Sequence, residues 1–183
     1  MFILLFLFTA CLFSANVVDQ TEQSNIVCAS IIDQTPCNFS ATNGAGEEVQ
    51  LHDLVGQPIV LDISAMWCGP CQLAASDVQK VQDRYLEDEL IYLTLLVDNL
   101  AGEEPTVEDI IRWEEQFGIE SAPVWSISRD VITSDPTKTG EFLYMDSLPT
   151  FYFIDSDMKI KSFQRGYSEE SIESKIIDLL MKD

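Results

Sequence analysis

The sequence predicts an α/β domain in which a mixed sheet is flanked by helices and preceded by an N-terminal β-hairpin. Three observations carry that expectation. Residues 59–64 and 91–97 are short, almost unbroken apolar runs, the composition of strands buried on both faces of a parallel sheet. Between them Leu73, Ala74, Val78, Val81 and Tyr85 recur at threes and fours, the period of an amphipathic helix, so the unit reads strand–helix–strand. Residues 150–154 and 159–165 then alternate around Asp155-Ser156-Asp157, the pattern of an antiparallel hairpin.

The remaining elements follow in order. Strand candidates at 37–42 and 48–51 are joined by Asn43-Gly44-Ala45-Gly46, residues that tolerate positive φ, and form the lead-in hairpin. Gly56-Gln57-Pro58 turns the chain into the first buried strand, which ends at Trp67-Cys68-Gly69-Pro70-Cys71. In the helix that follows, Ser76, Asp77, Lys80, Gln82 and Arg84 take the solvent side. A second helix spans 105–117 and stops at Gly118. A short strand at 123–127 precedes a loop rich in Asp, Ser, Thr and Pro, whose Tyr144 and Met145 approach Pro149 along the chain. Ser168 caps the last helix, Glu169 and Glu170 suit its positive end, and Ile172, Ile176 and Leu179 give its buried stripe.

A chain of 183 residues holds one domain comfortably, and its net charge of −21 repels phosphate backbones and anionic lipid. No nucleic-acid partner is expected, and membrane contact is expected only through a lipid anchor. The single histidine excludes His-rich metal chemistry. Of the first 15 residues 13 are apolar and none is charged. A helix of about 13 residues is near 20 Å long, too short to cross a bilayer and suited to a secretory signal peptide. Residues 1–15 are therefore read as a signal, cut after Phe13-Ser14-Ala15. The alternative is a lipoprotein signal, because Phe8-Thr9-Ala10-Cys11 resembles a bacterial lipobox and makes Cys11 a candidate for lipidation. Residues 16–36 form a tether or extension and 37–183 the folded domain. The expected location is the periplasm or the exterior, with lipid anchorage to the envelope as a variant.

Cys28, Cys37, Cys68 and Cys71 remain in the mature chain, and export permits disulfides. Their spacing suggests Cys28–Cys37 as a structural bridge, worth about 2–3 kcal/mol for so small a ring, and Cys68–Cys71 as a separate pair. Cys68 and Cys71 flank Gly69-Pro70 where a buried strand gives way to a helix. First-turn N–H groups and the helix dipole stabilise a thiolate there. A spacing of three puts both sulfurs on one helical face, and Pro70 is tolerated because a first-turn N–H lacks a helical partner. Cys68 should be the exposed nucleophile and Cys71 the deeper, resolving thiol. CxxC alone also fits half of a zinc site or an inert disulfide. Zinc would need Cys28, Cys37 or His52, which form no compact knuckle, and a ring this small adds little stability. The expectation is no metal and no cofactor.

From Asp62 to Cys71 the chain resembles the active-site segment of the thioredoxin superfamily. Leu148-Pro149-Thr150 is similar to the family's cis-proline loop, and the hairpin and last helix follow in the family's order. The lead-in hairpin, Trp113-Glu114-Glu115-Gln116-Phe117-Gly118 and Pro123-Val124 resemble the redoxin, TlpA/ResA-like branch. The resemblance covers roughly residues 37–181 and implies a thioredoxin-like fold and thiol–disulfide oxidoreductase activity.

The resemblance also implies roles. Trp67 shields the nucleophile and, with Gly69 and Pro70, shapes the contact surface. Pro149, in cis, faces the disulfide and leaves the backbone of Leu148 and Thr150 to pair with an extended substrate. Asp62 interrupts an apolar run; buried beneath Cys71, with its pKa raised by desolvation, it would relay the resolving thiol's proton. Gly69-Pro70 is the dipeptide of reducing thioredoxins, which places the potential nearer about −270 mV than about −120 mV. The implied partners are client proteins bearing disulfides or thiols, and a membrane thiol reductase as electron donor. Two other classes share the fold. A thiol peroxidase usually has Thr or Ser where Ala65 stands, and a copper-delivery protein of this superfamily uses a CxxxC with a distant histidine, absent after His52.

Overall fold

The computed structural model describes residues 28–135 and 143–181. The segment read as a signal peptide, Cys11 and the first part of the expected tether lie outside the described residues.

Seven strands form one mixed sheet in the order β2-β1-β5-β4-β3-β8-β9. Its centre is β3 (Ile59–Ala65), parallel to β4 (Ile91–Asp98) and antiparallel to β8 (Thr150–Ile154). All seven residues of β3 are buried, which is why it reads as an almost unbroken apolar run; all five of β8 are buried too, although the sequence pattern there was read as alternating. The hairpin β1 (Ser40–Asn43) and β2 (Glu48–Gln50) joins this sheet, because β1 pairs antiparallel with β5 (Val124–Ser126), itself parallel to β4. The opposite edge is β9 (Ile160–Arg165), which alternates between buried and exposed as a one-sided strand should.

Three helices flank the sheet. α1 (Gly69–Arg84) and α3 (Glu169–Leu180) are tied to each other by Lys80–Glu169 at 2.8 Å and Arg84–Glu173 at 2.7 Å. α2 (Val107–Phe117) lies against β1 and β5. It opens on a capping box between Thr106 and Asp109 and ends at Gly118, whose φ of 64° is the left-handed geometry that a side chain resists.

The structure differs from the sequence reading at several points. Leu73, placed on the buried stripe of α1, is exposed, whereas Gln82, assigned to solvent, is buried. Gln82 satisfies its amide on the backbone, donating to the Leu90 carbonyl at 2.7 Å and accepting from the Tyr92 N–H at 2.9 Å. Hydrogen bonding thus overrides the polar-outside rule. The 128–147 region holds an extra two-stranded parallel ribbon, β6 (Ile132–Thr133) and β7 (Leu143–Tyr144), where a plain loop was expected. Residues 28–36 are stitched to the main sheet: Asp33 N–H donates to the Ile160 carbonyl at 2.7 Å, and Ile160 N–H to that of Gln34 at 3.0 Å.

Candidate active site

Cys68 follows β3 at the end of the sheet where parallel β4 also finishes. The β3–β4 register slips after Ser64, so that Ala65 pairs with Asp98, and the Met66 N–H bonds the Asp98 carbonyl at 3.0 Å. A tight turn follows, with the Cys68 N–H on the Ala65 carbonyl at 3.1 Å. Cys68 is the N-cap of α1: its backbone is extended, and its carbonyl accepts the first helical bond, from Gln72 at 3.1 Å. Its Sγ accepts the Cys71 N–H at 3.3 Å, so a first-turn donor points at the sulfur. That is the arrangement that favours a thiolate.

Cys68 is bonded to Cys71, with Cα atoms 5.2 Å apart, and Cys28 is bonded to Cys37. The sulfur-bearing residues are unequally accessible, Cys68 at 5% and Cys71 at 0% exposure. The order is the expected one, although Cys68 offers far less surface than an exposed nucleophile would. Trp67, at 50%, and the exposed Gly69, Pro70 and Leu73 make up the surrounding surface.

Asp62 lies within β3 at 1% exposure. Desolvation pushes its pKa up to about 7; hydrogen bonds from Ser64, whose Oγ donates at 2.7 Å, and from Tyr92 pull the other way. Such a carboxyl exchanges protons near neutrality.

The Leu148–Pro149 bond is cis, as the resemblance implies. Thr150 opens β8 opposite Ile63 near the end of β3, so the Leu148-Pro149 loop and the cysteine turn leave the sheet at the same end. The Pro149 carbonyl accepts from Gly166 N–H at 2.8 Å, and Thr150 Oγ1 donates to the Ser147 carbonyl at 2.7 Å. Pro149 and Thr150 are buried; of the three loop residues named as substrate contacts, Leu148 alone keeps partial exposure. His52 contacts the Pro36 carbonyl at 2.9 Å. Among the described residues no His, Cys, Asp and Glu side chains gather as a metal-binding group, and no helix is long and apolar enough to cross a membrane.

Two residues near the cysteines were missed. Asp98 is buried; it accepts the Trp67 indole N–H at 2.8 Å and is paired with the Arg129 guanidinium. Burial alone would raise its pKa, but the bonds from Arg129 and Trp67 and the guanidinium charge hold it below the ordinary carboxylate range. The available signal was positional: Asp98 ends an apolar strand that runs parallel to the one leading into Cys68. Nothing local marked Arg129, which comes from a three-residue 3₁₀ turn (Arg129–Val131) 31 residues further on.

Known proteins bear on this geometry. The sequence profile described as the AhpC/TSA family matches residues 32–163. The chain is 29% identical over 107 residues to the thioredoxin-like protein HCF164, chloroplastic, of Oryza sativa subsp. japonica; the match covers 58% of the chain and spans 35% of that relative's length. Among solved structures it is similar to a thiol:disulfide interchange protein of the thioredoxin family from Chlorobium tepidum TLS, with TM-score 0.63 and 18% identity over 83% of this chain and 99% of that one. It is also similar to the exposed lipoprotein thioredoxin Etrx1 of Streptococcus pneumoniae strain TIGR4, with TM-score 0.58 and 22% identity over 79% and 98%. The two structures share the thioredoxin-like fold with it.

Proposed function

The chain belongs to the AhpC/TSA family and holds a bonded CxxC pair in a thioredoxin-like fold, and from there we propose that it is an exported thiol–disulfide oxidoreductase that reduces or isomerises disulfides in other proteins. The observation that carries this reading is the Cys68–Cys71 disulfide at the first turn of α1, with the Cys71 N–H directed at Cys68 Sγ.

In the reduced form the Cys68 thiolate attacks a client disulfide, forming a mixed disulfide and expelling one client thiolate. Cys71 then gives its proton to Asp62 and attacks Cys68 Sγ. The second client sulfur departs as a thiolate, the client is reduced to a dithiol, and the Cys68–Cys71 bond is restored. A dithiol donor must return the two electrons; a membrane thiol reductase suits an exported protein. Export is supported by the apolar, uncharged leader and by Cys28–Cys37, a bridge at home in an oxidising compartment. Trp67, Gly69, Pro70 and Leu148 form the client-facing surface.

Insulin reduction by the full chain tests the reading. Wild type should precipitate insulin B chain in the presence of dithiothreitol, Cys68→Ser should not, and Cys71→Ser should accumulate mixed disulfides with clients. Peroxide consumption or stoichiometric copper binding without insulin reduction would instead place the chain in one of the other two classes.

A further inference from the structure

The acceptor of the Trp67 indole is a buried carboxylate whose residue also holds, through its backbone carbonyl, the turn leading into Cys68. Asp98 stands at 2% side-chain exposure, and a bare anion there would both cost solvation and oppose charge on Cys68. The structure gives it one cation. Arg129 Nε donates to Asp98 Oδ1 at 2.5 Å and its NH2 group donates to Oδ2, the second oxygen, which also receives the Trp67 indole at 2.8 Å. The contact is bidentate, one nitrogen on each carboxylate oxygen, a geometry that a guanidinium supplies and an ammonium does not. The Arg129 side chain is 53% exposed, so it reaches the buried carboxylate from the surface.

We propose that Arg129 is a positioning residue for the redox centre: by neutralising Asp98 it lets an anionic oxygen fix the Trp67 indole without setting an uncompensated charge beside Cys68. The proposal rests on the oxidoreductase reading for its meaning, but not for its measurement. Among the described residues the charged and polar groups acting on Asp98 are Arg129 and Trp67. Asp98 therefore follows Arg129 alone in charge, and Trp67 follows Asp98 in position.

The test uses the full reduced chain and two readouts that need no client: the Trp67 indole Nε1–H resonance, assigned with Trp67→Phe, and the pH dependence of Cys68 alkylation by iodoacetamide. Arg129→Gln should move the indole resonance and shift the Cys68 midpoint upward by about half a unit, roughly a threefold loss of thiolate at pH 7. Arg129→Lys, which keeps the charge but not the fork, should hold the midpoint near wild type while moving the resonance. Asp98→Asn combined with Arg129→Gln should return the midpoint to within about twofold of wild type in thiolate fraction, because no charge is then left unpaired. An Arg129→Gln protein with both readouts unchanged overturns the proposal, as does a double variant that behaves like Arg129→Gln alone. Failure of wild type to reduce insulin would sink the oxidoreductase reading while leaving these two measurements to decide the role of Arg129.

Discussion

Asp62 is a carboxyl that folding removes from water, and its ionisation is therefore coupled to both stability and chemistry. Its folded pKa, about 7, lies above the ordinary value of 3.8. The unfolded chain ionises first as pH rises, so Asp62 destabilises the fold progressively between about pH 4 and pH 7 and fully above that. Asp62→Asn should stabilise the protein at pH 8 by up to about 4 kcal/mol and by almost nothing at pH 4, read as the difference in urea midpoints. The same substitution should slow resolution of the mixed disulfide near neutral pH by on the order of a hundredfold and remove its rise through pH 7, followed by stopped flow. A stabilised variant with an unchanged rate would leave Asp62 buried but outside the mechanism.

At the scale of an element, α1 owes its reactivity to its start and α2 its stability to its cap. Thr106 Oγ1 accepts the Asp109 N–H at 3.3 Å, and Asp109 returns a bond to the Thr106 N–H at 3.0 Å. Thr106→Ala should cost about 1 kcal/mol in denaturant unfolding and leave Cys68 alkylation unaltered, because α2 packs on β1 and β5 rather than on the cysteine turn. The exposure of Leu73 has a local reason as well. Cys71, Ala74, Ala75 and Val78 fill the inward face of the helix start, and Leu73 is left exposed, like Pro70 one turn before it.

Over the whole molecule, covalent and electrostatic constraints act at long range. The Cys28–Cys37 bridge closes a ten-residue ring that contains Asp33 and Gln34, the residues bonded to Ile160, so Cys28→Ser with Cys37→Ser should lower stability by about 2–3 kcal/mol in denaturant unfolding. Cys68 reactivity should survive that loss. A net charge of −21 should favour cationic clients. Mixed-disulfide formation with a Lys-rich disulfide peptide should be faster than with a Glu-rich one, and the difference should shrink as salt rises from 10 mM toward about 1 M, where the Debye length falls to about 3 Å. Equal rates at low salt would show that the acidic surface serves solubility alone.

The amino-acid sequence by itself determined what local pattern can encode. The apolar runs became β3 and β4, the Gly118 stop became a left-handed cap, and the CxxC spacing became a bonded pair at a helix start. Periodicity, capping and ring size depend on neighbours within a few residues, so they survive without knowledge of the fold. Other features depended on which strands lie side by side. The hairpin joins the sheet only because β1 finds β5, Gln82 is buried only because the Leu90–Tyr92 backbone offers it partners, and the 28–36 segment is held only because β9 has a free edge. Asp98 and Arg129 belong with these: 31 residues separate them from each other and Asp98 from Trp67, and the parallel register of β3 and β4 alone carries Asp98 to the cysteine turn. A charge's meaning is set by what folding places around it, and for Asp98 that was decided in three dimensions.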